Sequence, residues 1–270
     1  MAVLTVTCGL LVAGGYYAIT SLQPLQVAEP EPTESCTVTA RGDTDSLDVD
    51  QAANAATVNG VAFAMDMPED AVVIAYATVW QESKFFNIDY GDRDSLGLFQ
   101  QRPSQEWGEP EQIMDQVYST RAFYQGLREV PGYREMPVYE AAQAVQRSAD
   151  GFAYDQHEGL SRVMAAAFNG SEGPAVSCWF DPQSSAASDV EGAEKELERV
   201  FGAAPGDLPI TDGPRTGDIG WSMAVWAVSH ARDYGLTSVT YGDQRWTAAT
   251  GDEGWSTVPD GAVRDTLVLK

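Results

Sequence analysis

The chain has 270 residues, with 40 acidic side chains against 16 basic ones and a formal net charge of −24. A surface of this sign repels nucleic-acid phosphates and anionic lipid head groups, which argues against both as partners bound through charge. The length is sufficient for one good-sized domain and a smaller second one.

The first 28 residues carry no charged side chain, and residues 2–22 form an apolar run long enough to cross a bilayer core of roughly 30 Å. Three glutamates follow before the first basic residue, Arg41, which places the bulk of the chain outside the cell under the positive-inside rule. We therefore expect residues 1–28 to be an uncleaved membrane anchor, or a signal segment of a secreted protein if they are removed.

The rest of the chain predicts an α+β protein in two parts. Residues 29–179 are expected to form a mainly helical domain, residues 180–188 a linker, and residues 189–270 a small α+β domain. Apolar residues at helical spacing predict helices near 48–60, 66–82, 110–129, 137–148, 154–168, 188–201 and 221–234. Strands are predicted near 36–39, 95–101, 237–241, 244–247 and 262–269.

The helix that ends at Glu82 is the most informative element. Residues 71–80 have no charged side chain, which is typical of a helix buried on all sides, and Asp66 with Glu69 has the spacing of a capping box at its start. Glu82 therefore lies at the end of a buried stripe, where apolar surroundings and the helix C-terminus raise the pKa of a carboxylate. A Glu kept protonated in this way can act as a general acid.

Two cysteines, Cys36 and Cys178, belong to the part predicted to be exported. In an oxidising compartment they most simply pair with each other, although two free thiols are the alternative. Neither His157 nor His230 lies at zinc-ligand spacing from a cysteine, so we expect no metal, and no fingerprint of a cofactor site is present.

The segment Gln81-Glu82-Ser83, followed by Ser95-Leu96-Gly97-Leu98-Phe99-Gln100, resembles signatures of the lysozyme-like superfamily. The resemblance is to soluble lytic transglycosylases and goose-type lysozymes. The longer run from Asp89 to Ser104 is similar to phage-tail lysozyme-like domains and to a group of exported bacterial proteins. The likeness covers about Cys36 to Cys178 and implies a protein of the bacterial cell membrane or a secreted one.

This resemblance implies cleavage of the β-1,4 link between the amino sugars of peptidoglycan, with glycan strands as the partner and Glu82 as the proton donor. In a transglycosylase the 6-hydroxyl of the sugar then attacks, whereas a hydrolase needs a second carboxylate. Asp94 is the first candidate for that carboxylate, ahead of Asp89 and Asp92. The expected substrate-binding residues are Ser83, Ser95, Gly97, Gln100, Gln146 and Tyr154.

Three alternatives stay open from the sequence. The aspartates of residues 89–94 are common turn residues and could be no more than solvated loop residues. Glu82 could be a structural glutamate paired with Arg102 or Arg147. The whole fold could bind glycan strands without cutting them and serve as a scaffold of the cell envelope; the protein partner of the C-terminal part is not predicted.

Overall fold

The computed structural model describes residues 33–147, 152–206, 219–258 and 264–270. Residues Glu34–Lys270 form one compact unit of mixed helix and sheet, which confirms the α+β class. No helix among the described residues has the length and apolarity to cross a membrane. The anchor predicted for residues 1–28 lies outside the described residues.

A small antiparallel sheet joins the two ends of the predicted first domain. Its strands are β1 (Ser35–Ala40), β2 (Asp43–Leu47) and β3 (Val176–Trp179), in the order β2-β1-β3. Cys36 lies directly opposite Cys178 in the pairing of β1 with β3, and the two form a disulfide with their Cα atoms 3.9 Å apart. The predicted cysteine pairing is confirmed.

The helices of this region are packed around α2 (Glu69–Glu82), in which every residue from Ala71 to Val79 is buried. The structure therefore confirms that this helix is surrounded by protein, and α5 and α6 contact it directly. The other helices are α1 (Val49–Ala64), α3 (Pro110–Ile113), α4 (Gln116–Arg128), α5 (Val138–Gln146) and α6 (Glu158–Phe168), with 3-10 turns at Pro103–Gln105 and Phe152–His157.

The described residues of the C-terminal part form helices and a second antiparallel sheet. The elements are α7 (Val190–Phe201), α8 (Ile219–Ser229), α9 (Ala231–Tyr234), β4 (Ser238–Gly242), β5 (Gln244–Thr247), β6 (Ser256–Thr257) and β7 (Arg264–Leu269), with a 3-10 turn at Ala248–Thr250. The strands have the order β6-β5-β4-β7. The predicted hairpin is confirmed, because β4 and β5 pair directly.

One hydrophobic core includes residues from both sides of the predicted linker. Helix α1 packs against α8, and buried hydrogen bonds join them: Asn59 donates to Ser222 Oγ at 2.7 Å, and Trp226 donates to Thr57 Oγ1 at 3.2 Å. The domain boundary at residues 180–188 stays a prediction, and the compact unit includes residues on both sides of it.

Helix boundaries differ from the sequence predictions at several places, and the helices predicted over 154–168 and 221–234 begin as a 3-10 turn and divide at His230, respectively. The N-cap of α2 is Pro68 rather than Asp66, which has φ 55° in the preceding turn. Gly60 does not end α1; it lies inside the helix, where an added Cβ would come within 2.4 Å of the Val200 side chain of α7. Asp115 caps the backbone N–H groups at the start of α4 and so divides the single helix predicted over 110–129.

Candidate functional site

Glu82 is the last residue of α2, and its side chain is half-buried. The helix stops there because Lys84 and Phe85 take left-handed backbone angles, φ 53° and 62°, which turn the chain away. Phe85 is fully buried and packs edge-on against Tyr76 and Trp80, with ring centroids 5.2 and 5.3 Å apart. The turn after the helix is therefore fixed by the core, which fixes the position of Glu82.

Two of the predicted binding residues contact the Glu82 carboxylate. Tyr154 Oη donates a hydrogen bond to Glu82 Oε1 at 2.8 Å, and Gln146 Nε2 donates to the same oxygen at 3.3 Å. Tyr154 is buried, whereas Gln146 is half-buried at the last turn of α5. The structure therefore brings together three residues that lie far apart in the sequence.

Burial raises the pKa of the Glu82 carboxyl above its ordinary value, and the hydrogen bonds from Tyr154 and Gln146 oppose this in part. In the described part of the chain no lysine or arginine lies within ion-pair distance of Glu82, and Arg102 pairs with Asp94 instead. The carboxyl thus has the environment that a proton donor requires rather than that of a salt bridge.

The segment predicted as a strand over 95–101 is a tight loop instead, closed by a single bridge between Leu96 and Gln101. Position 97 requires a glycine, because its φ is 75° and an added Cβ would lie 2.8 Å from the Ile113 carbonyl oxygen. Its N–H donates to the Ile88 carbonyl at 2.8 Å. The strand prediction was wrong because alternating apolar residues do not distinguish a strand from a loop that packs in the core.

This loop is attached to the end of α2 by side-chain hydrogen bonds. Ser83 is buried and donates through Oγ to the Leu98 carbonyl at 2.7 Å. Gln146 Nε2 donates to the Phe99 carbonyl at 2.7 Å as well as to Glu82. Ser83 and Gln146 therefore position the loop and the carboxylate relative to each other.

Ser95 and Gln100 were expected to contact a sugar, and in the structure both form hydrogen bonds within the loop. Gln100 Nε2 donates to the carbonyls of Gly97 at 3.1 Å and Tyr90 at 3.3 Å. Ser95 is buried, and its N–H donates to the Asp92 carbonyl at 3.1 Å. Their sugar contacts stay predictions, and the contacts observed maintain the shape of the loop.

Asp94, the first candidate for a second catalytic carboxylate, is held by two donors. Arg102 Nε donates to Asp94 Oδ1 at 2.7 Å, and the Ser104 N–H donates to Oδ2 at 2.9 Å. Hydrogen bonds from Ser104 and Arg102 hold the pKa of this carboxyl well below its usual range. The observed contacts give Asp94 a structural part in the loop, while Asp89 and Asp92 are exposed.

Sequence reasoning did not find the aromatic side chains near this site. Tyr139 on α5 stacks on Phe152, with ring centroids 4.9 Å apart and planes 22° apart, and Phe152 is 73% exposed. These rings belong to the same two elements that provide Gln146 and Tyr154. A signal was present, because Tyr139 and Gln146 are seven residues apart and so share one helix face.

His157 contacts the last turn of α2 through its imidazole ring. Its ring stacks on Trp80, with centroids 6.4 Å apart, and its Nε2 lies 3.1 Å from Gln81 Oε1. Burial lowers the pKa of His157. These contacts connect the start of α6 to the last turn of α2.

No protein-family model matches this chain, and no curated protein matches it significantly.

Proposed function

We propose that this protein is a peptidoglycan glycosidase of the muramidase or lytic transglycosylase type, with Glu82 as its general acid. One observation carries the proposal: Glu82 is a half-buried carboxyl with a raised pKa, held by Tyr154 and Gln146 beside the loop of residues 95–100. A raised pKa favours the protonated carboxyl that a general acid needs. A lysozyme-like fold for residues 29–179 belongs to the same proposal.

In the proposed reaction, protonated Glu82 donates its proton to the glycosidic oxygen while the bond from that oxygen to the sugar C1 breaks. In a transglycosylase the 6-hydroxyl of the same sugar then attacks C1 and gives its proton to the Glu82 carboxylate, which restores the acid. The ion pair of Asp94 with Arg102 favours this variant over hydrolysis, because the variant needs no second carboxylate.

The exposed aromatic pair supports a saccharide as the substrate. Sugar rings present C–H groups that pack on an aromatic face, and the exposed ring of Phe152 offers such a face. Tyr139 precedes Gln146 by two helical turns, which corresponds to about 10 Å along α5. A glycan strand bound at Glu82 could therefore extend along this helix to the stacked rings.

A non-catalytic glycan-binding scaffold is the second candidate, and the same ion pair of Asp94 favours it over a hydrolase. We further propose that the protein acts outside the bacterial membrane, anchored by residues 1–28 or secreted. The disulfide between Cys36 and Cys178 supports export, since such bonds persist mainly in oxidising compartments.

The test is digestion of purified peptidoglycan by the full chain, followed by mass analysis of the released ends. Anhydro ends are expected for the wild type, and Glu82→Gln should release fragments about 10²–10⁴-fold more slowly. Glu111→Gln is the matched control, because Glu111 is exposed on the short helix α3. Glycan binding without cleavage by the wild type would favour the scaffold, and cleavage by Glu82→Gln at the wild-type rate would reject this mechanism.

A further inference from the structure

A cavity of about 720 Å³ is lined by residues that do not include Glu82, Tyr154 or Gln146. Its walls come from α1, the turn after α2, the start of α4, α7 and α9, all within the compact unit of residues 34–270. A volume of this size is typical of a site for a small organic molecule. The cavity is therefore a candidate binding site separate from the one proposed for the glycan.

The charged side chains that line the cavity have one sign. Asp50, Glu196 and Asp233 are among the lining residues, and no lysine or arginine of the described ranges is. Arg232 contacts both Asp50 and Asp233 from outside this lining. An anionic ligand is excluded by this arrangement, because it would meet three carboxylates without a cation of the wall to balance them.

Arg199 and Arg232 are each shared among several carboxylates. Arg232 also contacts Glu34 at 3.4 Å, and Arg199 contacts both Glu196 at 2.6 Å and Asp115 at 2.9 Å. Among the described residues, five carboxylates thus share these two guanidinium groups, so the carboxylates are in excess within this group of ion pairs. A cationic ligand would lower the remaining repulsion.

The spacing of the acidic groups favours an organic cation over a metal ion as the ligand. In the described part of the chain no three His, Cys, Asp or Glu side chains converge closely enough to hold a metal ion. A divalent metal needs several oxygen ligands at about 2.0–2.6 Å, so it would find too few of them here. A ligand that distributes positive charge along its length fits separated carboxylates better.

The uncharged part of the lining suits a short aliphatic chain with an amino group. Phe86 is 36% exposed, and its ring, with Ile88 and Tyr234, provides apolar and aromatic surface. Burial lowers the pKa of His230, which favours its neutral form, and its Nε2 lies 3.3 Å from Thr57 Oγ1. A neutral imidazole does not oppose a cation.

We propose that this cavity binds a small organic cation, namely an aliphatic amine with one or two primary ammonium groups. The carboxylates of Asp50, Glu196 and Asp233 accept the ammonium hydrogen bonds, and Phe86 and Tyr234 contact the methylene chain. The proposal does not depend on the glycosidase reaction at Glu82.

The test is calorimetric titration of the full chain with 1,5-diaminopentane, with tryptophan fluorescence as a second readout. Trp226 stacks on His230 with ring centroids 3.9 Å apart, so it reports on the cavity wall. Saturable binding is expected for the diamine, and none for 1,5-pentanediol, which has the same length without charge. Magnesium chloride at equal ionic strength should not displace the diamine.

Two variants of helix α7 show whether the diamine binds in this cavity. Glu196→Gln should weaken diamine binding roughly five-fold, the effect of one partly exposed ion pair. Glu191→Gln removes the same charge from an exposed position of α7 outside the lining and should leave the affinity unchanged. Equal weakening in both variants, or no saturation up to about 10 mM diamine, overturns the proposal.

A third variant keeps the proposal testable if Glu196→Gln disturbs α7 through its contact with Arg199. Phe86→Leu keeps an apolar side chain and removes the aromatic ring, and it should weaken diamine binding about three-fold. Thermal unfolding of each variant shows whether the fold is intact. Unchanged diamine affinity in a folded Phe86→Leu protein contradicts the proposed contact between Phe86 and the diamine.

Discussion

Glu82 and Asp94 are two carboxyl groups on one short stretch of chain, and they lie in opposite environments. Glu82 ends a buried helix, accepts hydrogen bonds from the neutral donors Gln146 and Tyr154, and has a raised pKa. Asp94 lies on a loop where Arg102 and the Ser104 N–H hold it as an anion. The comparison teaches that the chemistry of a carboxyl is decided by its surroundings, and only Glu82 has those of an acid.

The largest expected effect is the difference in peptidoglycan cleavage between variants of Glu82 and of Asp94. Glu82→Gln should lower the rate of peptidoglycan cleavage about 10²–10⁴-fold, the contribution of a general acid. Asp94→Asn should leave the rate within a few-fold of wild type while it lowers the Tm, because the ion pair with Arg102 is lost. Initial rates of dye release from labelled peptidoglycan and a thermal scan measure both effects.

The pair of variants also contains its own control, since each replaces a carboxylate with the isosteric amide. Loss of activity in folded Asp94→Asn by the same factor as in Glu82→Gln would show that Asp94 is a second catalytic group. That result would change the proposed reaction from transglycosylation to hydrolysis.

The second prediction concerns the hydrogen bond that joins the end of α2 to the loop of residues 95–101. Ser83→Ala removes the donor to the Leu98 carbonyl and leaves a buried acceptor without its partner. This should lower the free energy of unfolding by about 1–2 kcal/mol. Chemical denaturation measures it, with Ser46→Ala on the exposed strand β2 as the control. Equal stability of both variants would mean that the loop is not held through Ser83.

The buried helix and its terminal Glu were predictable because they depend on local pattern. Residues 71–80 carry no charge, and a helix that buries all its sides needs no partner to be recognised. The cysteine pairing was predictable for a similar reason, since two cysteines in a part of the chain that is expected to be exported have one simple solution. Gln146 and Tyr154 were expected to bind substrate, and neither the resemblance nor local pattern predicted their contacts with Glu82.

The parts that sequence did not predict depend on the tertiary fold. The ion pair of Asp94 with Arg102 forms because residues 95–101 close into a loop, which alternating apolar residues do not reveal. The packing of Gly60 against Val200 is likewise invisible in a sequence, where glycine near a helix end indicates a cap. The stack of Tyr139 on Phe152 joins residues of two separate elements.

The third prediction is that the two carboxyls change stability with pH in opposite directions. The raised pKa of Glu82 means that its contribution to stability is lost as the pH rises through the folded pKa. Glu82→Gln should therefore gain Tm relative to wild type as the pH rises above about 4, the ordinary pKa of a glutamate. The lowered pKa of Asp94 gives stability that is present above the unfolded pKa and lost in acid.

Asp94→Asn should accordingly lose Tm relative to wild type as the pH rises from about 2 to 5. Thermal scans across this range give both differences from one set of buffers. The same slope for the two variants would contradict the opposite environments.

The smallest expected effect compares exposed aromatic rings on the two sides of the site. Phe152→Ala should weaken binding of a soluble peptidoglycan fragment about three- to ten-fold, because the stacked face beside Tyr139 is lost. Tyr90→Ala is the matched control, since Tyr90 is 70% exposed but lies in the aspartate-rich loop before Asp94. Binding is measured by titration in the Glu82→Gln background, where the fragment stays intact. Phe152 lies on the same 3-10 turn as Tyr154. Weaker binding in Phe152→Ala alone would therefore place the glycan on the Glu82 side of the site. Weaker binding in Tyr90→Ala alone would place it on the Asp94 side.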